Sequence, residues 1–459
     1  MQNKPRPRHT CRKSFLSYLA DHLGVHGAAW KTTLVFWMAS LGVGLVAVGF
    51  ARLADAAGHL QRHWLIHFPT FFLTATPMAT AALVYASERF FPQATGSGIP
   101  QVIAALRLPA DAADRWRLLV LPIALAKVVM TSIGLLCGLS IGREGPTIQV
   151  SAAIMVAFHR VTAKWVRFPS IYLNQGLVLA GGAAGLAAAF NTPLAGIVFA
   201  IEELGHSFEE RLSGITLTAV IFSGLASISL MGDYFYFGQV STNLPLGASW
   251  AVIPLCGLGG GAAGGLFASA LLAGNRSLQP MRKRHPLPFG MAAGLLLVCL
   301  GLLSHGHTLG TGYPEASTLL GNQTAGPYMP NLLSPVFKML ATFLSYCSGV
   351  PGGLFSPSLA AGAELGAVLH RLAPLAPEQS VVLLGMAAYF VGVIQTPITA
   401  LVIITEMTNN HQLMLPLMAT IVLAQATSRL VCPEPLYHAL AKGFALHEPK
   451  NGPGRIANG

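Results

Sequence analysis

Thr32 to Ala51, Leu212 to Gly232, Pro286 to Pro314 and Met407 to Ser428 carry no Asp, Glu, Lys or Arg, and each is long enough for a helix of about 20 residues. Phe168 to Ile201 and Tyr234 to Asn275 are uncharged over stretches long enough for two passes each. Three short motifs interrupt this apolar pattern: Gly96-Ser97-Gly98-Ile99-Pro100, Gly142-Arg143-Glu144-Gly145-Pro146 and Gly353-Leu354-Phe355-Ser356-Pro357. Glycine and proline break helices, and broken backbone at membrane depth is tolerated only where it is buried in protein or lines a cavity. A carboxylate in such a place, Glu144, is expensive to keep without a role. The pattern points to a chain that holds an ion inside a bilayer, with Glu144 beside it.

Composition agrees. Only 10% of the residues are charged and 53% are hydrophobic, where a soluble domain carries about a quarter charged residues. Strands crossing a membrane would alternate in polarity over about ten residues, and no such alternation is present. The expected fold class is therefore an all-α integral membrane protein, with roughly ten or more membrane segments, several too short or broken for simple spans. The boundaries expected are a cytoplasmic segment at 1–30, a first membrane half at 31–210, a second at 211–443 and a cytoplasmic tail at 444–459.

The net charge of +11 is not a nucleic-acid signal in so apolar a chain. Lys4, Arg6, Arg8, Arg12 and Lys13 crowd the N-terminus; Arg115, Arg117, Arg160, Lys164 and Arg167 fall in two loops, and Arg282, Lys283 and Arg284 in another. Basic loops stay cytoplasmic, which places both termini inside a multi-pass protein. No cleaved signal peptide is expected. The six cysteines are scattered, so neither a disulfide framework nor a zinc site is indicated. No metal or cofactor is expected. The short polar tail holds no regulatory domain, which suggests a compact bacterial inner-membrane protein.

The chain also repeats itself. Gly181-Gly182-Ala183-Ala184, Thr192-Pro193-Leu194, Val198 and Glu202 recur as Gly385-Met386-Ala387-Ala388, Thr396-Pro397-Ile398, Val402 and Glu406, all offset by 204 residues. Upstream, the Glu144 motif aligns with Gly353-Leu354-Phe355-Ser356-Pro357, glycine to glycine and proline to proline. Repeats broken at corresponding positions are the best sequence pointer to a transporter's binding site. Identity alone does not say whether the halves are parallel or inverted. The Gly259-Gly260-Gly261 and Gly264-Gly265 run reads instead as a surface for close helix packing.

A halide inside a bilayer needs donors and positive potential, but not a full cation that would hold it too tightly to leave. Helix N-termini supply unpaired amides and partial positive charge, and proline is favoured at a helix start. Each motif would aim one N-terminus inward: the first with the Ser97 hydroxyl, the third with the Leu354 and Phe355 amides. A membrane-embedded serine hydrolase using Ser97 is disfavoured, because no histidine lies near it in sequence and the Gly-x-Ser-x-Gly elbow is absent. The chain is not expected to be an enzyme.

In this order, and with Tyr437 in Pro435-Leu436-Tyr437, the three motifs resemble the CLC family of chloride channels and chloride/proton antiporters, over about residues 30 to 443. The resemblance implies a CLC fold of two inverted repeats of broken and tilted helices. It also implies a homodimer with one anion pathway per subunit. Ser97, Gly98, Ile99, Leu354, Phe355 and Tyr437 match the chloride-binding positions, and Glu144 matches the gating glutamate. A carboxylate there competes with the anion when ionised and swings away when protonated, which links proton and anion occupancy. Pairing of Glu144 with Arg143 is the bland alternative, although adjacent residues rarely face each other on a helix. Glu203 matches an internal proton-relay glutamate, which favours exchange of chloride for protons over a passive channel. Glu202 and Glu203 could instead simply mark a helix end in water. A fluoride exchanger is disfavoured because Ser97 and Tyr437 are those of the chloride-type site. Lys127 matches a family lysine whose acidic partner in some relatives is replaced here by Gln101 and Ile103, leaving its contacts open.

Overall fold

The computed structural model describes residues 15–108, 116–165, 175–205, 214–232, 234–321 and 328–445. The basic residues Lys4, Arg6, Arg8, Arg12, Lys13, Arg115 and Arg167, along with Cys11, His206, Glu209, Glu210 and the polar tail, lie outside them.

Among the described residues the chain forms α-helices and no strand. Grouped by packing, the first half runs α1 (Phe15–His67), α2 (Pro69–Arg89), α3 (Ile99–Arg107), α4 (Leu121–Leu136), α5 (Glu144–Thr162), α6 (Leu177–Phe190), α7 (Pro193–Phe199) and α8 (Gly214–Met231), so the helix at 214–231, expected in the second half, groups with the first. The second runs α9 (Val252–Arg284), α10 (Pro286–Leu303), α11 (Tyr313–Leu319), α12 (Ser334–Cys347), α13 (Phe355–Leu372), α14 (Glu378–Ile394), α15 (Pro397–Thr408) and α16 (Met414–Val431). A last helix, α17 (Leu436–Ala445), follows both. Proline opens many of them, including α3, α7, α11 and α15, where its missing N–H costs nothing. Six helices among the described residues are long and apolar enough to cross a membrane.

Two uncharged stretches fold differently from the expectation of simple passes. Tyr234 to Asn275 makes one long helix, not two. Gly238 and Gly247 adopt positive φ and Pro245 lies between them, so the segment before α9 stays irregular. It bonds instead along the end of α15, from Phe237 N to Met407 O and from Val240 N to Thr408 O, both at 3.0 Å. Met407 to Ser428 is split at Asn409, which is left-handed, and Asn410, whose amide donates to Val240 O and Thr242 O at 2.8 Å. In the third uncharged stretch, the described residues from 175 to 201 form two short helices, parted by left-handed Asn191 and by Pro193.

The halves share one packing plan. Helix α5 packs on α6 as α13 packs on α14, α6 on α8 as α14 on α16, and α1 on α8 as α9 on α16. Helices α2 and α10 pack on each other, as do α7 and α15, which a two-fold relation between the halves requires. The centre is α6 and, from Ser380 onward, α14, apolar on nearly all sides and buried, as a helix without a polar face must be. The glycine run behaves as a packing surface. A Cβ on Gly260 would lie 2.5 Å from Ala388 Cβ, and one on Gly261 2.4 Å from Ala424 O.

The repeated glutamates complete the relation. The Glu202 carboxylate accepts from the amides of Ile398 (3.1 Å) and Thr399 (2.7 Å) in the first turn of α15. Glu406 accepts from Leu194 (3.1 Å) and Ala195 (2.7 Å) in the first turn of α7. Each half caps the other's helix. Glu202 therefore does not mark a helix end in water; it neutralises the positive end of α15.

Candidate anion site at three converging helix ends

Helices α3, α5 and α13 begin at Ile99, Glu144 and Phe355, and each start follows from its motif. Gly96 and Gly98, at φ +69° and +108°, turn the chain sharply into α3. The motifs then touch through their glycines. A Cβ on Gly98 would sit 2.6 Å from Gly145 O, one on Gly145 2.1 Å from Ser97 Oγ, and one on Gly353 3.0 Å from Gly145 N. Gly142 and Gly353 bond each other's backbones as an isolated antiparallel bridge. Side chains at these positions would hold the helix ends apart. Without them, three sets of first-turn amides, which lack partners inside their own helices, are gathered in one region.

Ser97, Gly98, Ile99, Leu354, Phe355 and Tyr437 are all buried there. The Tyr437 hydroxyl reaches the neighbourhood of Ser97 Oγ, yet neither hydroxyl is hydrogen-bonded within the protein. Buried hydroxyls are ordinarily paired, so two orphans side by side next to helix N-termini suit an anion as cargo. Phe355 is wedged in place by Phe190 (6.1 Å between ring centroids), Phe199 (6.1 Å), Phe390 (5.1 Å) and Tyr437 (6.1 Å). Those rings come from α6, α7, α14 and α17, so both halves position the start of α13.

Glu144 is fully buried. Its Oε1 accepts from Ser356 Oγ at 2.5 Å, and its Oε2 has no hydrogen-bond partner in the protein. Arg143 does not pair with it. That guanidinium turns to α1, donating to Asp55 Oδ1 (2.8 Å) and Ala51 O (2.6 Å), which pins the turn before α5 from outside the site. Glu203 sits on a π-helical turn, Ala200–Leu204, that closes α7; it is buried, with Oε1 not hydrogen-bonded. Tyr437 lies within electrostatic reach of both Glu144 and Glu203.

Lys127 is buried and donates to Gly96 O at 3.1 Å, bracing the first motif through backbone rather than a carboxylate. Lys338 does the same in the second half, to Gly310 O (2.9 Å) and Thr308 O (3.1 Å). This exposes a third repeat that sequence reading missed: Gly310-Thr311-Gly312-Tyr313-Pro314 is the counterpart of Gly96-Ser97-Gly98-Ile99-Pro100, and its spacing was visible all along. Ser356 was also overlooked, although it lies inside a recognised motif. Tyr236, whose hydroxyl is 3.5 Å from Ser356 Oγ, and Tyr346, which packs against Gly96, gave no local signal. Among the described residues no group of His, Cys, Asp and Glu could hold a metal.

Comparison with known proteins places the chain. Residues 78–429 match the family model described as voltage gated chloride channel. A protein of Citrobacter koseri named H(+)/Cl(-) exchange transporter ClcA is 31% identical over 424 residues, covering 86% of this chain and 85% of its own length. The protein of the same name from Yersinia pestis is 31% identical over 452 residues, covering 91% and 90%. Among solved structures, a slow cyanobacterial Cl−/H+ antiporter superposes with a TM-score of 0.73 at 23% identity, covering 90% of this chain and 98% of that one. A CLC-type fluoride/proton antiporter gives 0.70 at 25%, covering 88% and 96%. With the helical architecture of inverted repeats and a family match over most of its length, this chain is a member of the voltage gated chloride channel, or CLC, family.

Proposed function

We propose that the protein is a secondary active transporter that exchanges chloride for protons across a bacterial inner membrane. The observation that carries this is the single niche shared by two orphan hydroxyls, Ser97 and Tyr437, three helix N-termini and the Glu144 carboxylate. Chloride is held by the hydroxyls and by the amides around Gly98, Ile99, Leu354 and Phe355, at partial rather than full positive charge. Glu144 is the gate. Ionised, it takes the electropositive position and excludes the anion; neutral, it leaves, and chloride passes.

Glu203 is the internal proton relay, buried and set apart from the anion site, with Tyr437 within electrostatic reach of both it and Glu144. Two glutamates, one at the anion site and one set apart, give the proton a path that diverges from the anion's. A passive channel has no use for the second. The relatives named as H(+)/Cl(-) exchangers support the same reading. Each subunit carries a complete site, and the outward apolar side chains of α8 and α16, Leu217, Ile221, Leu225, Met418 and Val422 among them, suit lipid and a second copy in a homodimer.

The test is the reversal potential of the purified protein in planar bilayers under crossed chloride and pH gradients. An exchanger reverses at a potential set by both gradients. Reversal at the chloride equilibrium potential, independent of pH, would make it a channel.

A further inference from the structure

Glu203 is surrounded by protein, with a side chain only 3% exposed. Beside it stands His438, one residue past Tyr437 on α17, with Nε2 at 3.8 Å from Glu203 Oε1 and a side chain 24% exposed. The other ring nitrogen, Nδ1, meets the guanidinium of Arg107, an exposed residue at the end of α3. Arginine offers only donors, so Nδ1 accepts, and the neutral ring carries its proton on Nε2, toward Glu203. Among the described residues, Glu203 and Arg107 face this ring, and Glu202 adds its charge next to Glu203.

We propose that His438 is the residue through which Glu203 exchanges its proton with the aqueous side, and that Arg107 controls access to Nδ1. This rests on the reading of Glu203 as the internal relay. While Arg107 donates to Nδ1, the ring can take no further proton. When Arg107 turns to water, Nδ1 accepts a proton from hydronium, leaving water and an imidazolium. The imidazolium then gives its Nε2 proton to Glu203 Oε1, leaving a neutral ring and a neutral carboxylic acid. One proton enters the ring and one leaves. Exchange with water restores the Nε2–H form, and Arg107 closes again. A partly exposed imidazole between a buried acid and a surface guanidinium bridges the gap a carboxylate this deep cannot cross alone.

The experiment uses the full chain in proteoliposomes, with chloride and proton fluxes recorded together for His438→Ala, His438→Gln and Glu203→Gln. Removing a positioned proton donor costs on the order of a hundredfold, so proton flux in His438→Ala should fall by about that factor while chloride flux persists. Imidazole in the bath should restore proton flux severalfold in His438→Ala but not in His438→Gln, where the side chain fills the space. His438→Gln also preserves bulk if the alanine variant fails to assemble. Wild-type coupling in His438→Ala or His438→Gln would overturn the proposal. So would a loss in His438→Ala that imidazole does not relieve, which would make His438 a structural contact. Glu203→Gln separates the two ideas: if it stays coupled, the relay reading itself fails; if it uncouples while the His438 variants do not, only the role of His438 falls.

Discussion

Gly142 and Gly353 donate their amides to each other's carbonyls, at 2.8 and 2.6 Å, across 211 residues of chain. The bridge locks the turns that launch α5 and α13 and so sets the spacing between Glu144 and the amides at the start of α13. Gly142→Ala would place a methyl 2.2 Å from Glu144 Oε2, a side-chain atom that can move. The protein should still assemble, with a stability loss of about 1–3 kcal/mol in thermal unfolding. Its proton-to-chloride ratio should fall, because the carboxylate is displaced. An unchanged ratio would show that this position of Glu144 does not matter for coupling.

Glu144→Gln keeps the shape of the side chain and removes its proton chemistry. Chloride efflux from proteoliposomes should continue, while proton uptake measured with a pH electrode drops by about two orders of magnitude or more. Retained proton pumping would remove Glu144 from the mechanism.

Ser356→Ala tests what holds the ionised carboxylate in place. A hydrogen bond to a charged group contributes about 1.5–3 kcal/mol, so its loss frees the niche more often. Chloride turnover at neutral pH should rise, by about tenfold or more. Slower turnover would mean that Ser356 serves the anion rather than the gate.

The orphan hydroxyls predict a binding phenotype. Ser97→Ala and Tyr437→Phe each remove one donor worth about 0.5–1.5 kcal/mol net. Calorimetric titration with chloride should show affinity weakened severalfold in each variant. Equal affinity to wild type in both would place the anion elsewhere.

Neighbouring glutamates should separate cleanly. Glu202→Ala and Glu406→Ala each remove a cap worth about 1 kcal/mol and should lower thermal stability to a similar extent, with coupling kept. Glu203→Gln should do the opposite, sparing stability and abolishing proton movement. A Glu202→Ala variant that uncouples would overturn the assignment of that residue to capping.

Much of this was legible in the residues. The broken apolar runs, the three Gly/Pro motifs and Glu144 specify helix starts because proline and glycine act locally, through φ and the missing N–H. Boundaries inside the uncharged stretches were less legible. Hydropathy does not distinguish one long helix plus an irregular segment from two passes, and the breaks at Asn409 and Gly247 depend on single residues with positive φ. The third repeat at Gly310 was readable but hidden, since Ser97 and Ile99 had become Thr311 and Tyr313.

Local chemistry by itself determined that this is a helical membrane protein with helix ends turned inward and a carboxylate among them. Tertiary packing alone decided who meets whom: that Arg143 leaves Glu144 for Asp55, that Glu202 and Glu406 cap across the two-fold, and that His438 and Arg107 close over Glu203. The reason is range. Dihedral preferences and hydropathy act within a few residues, whereas a buried polar group takes its partner from whatever element the packing brings alongside, often hundreds of residues away.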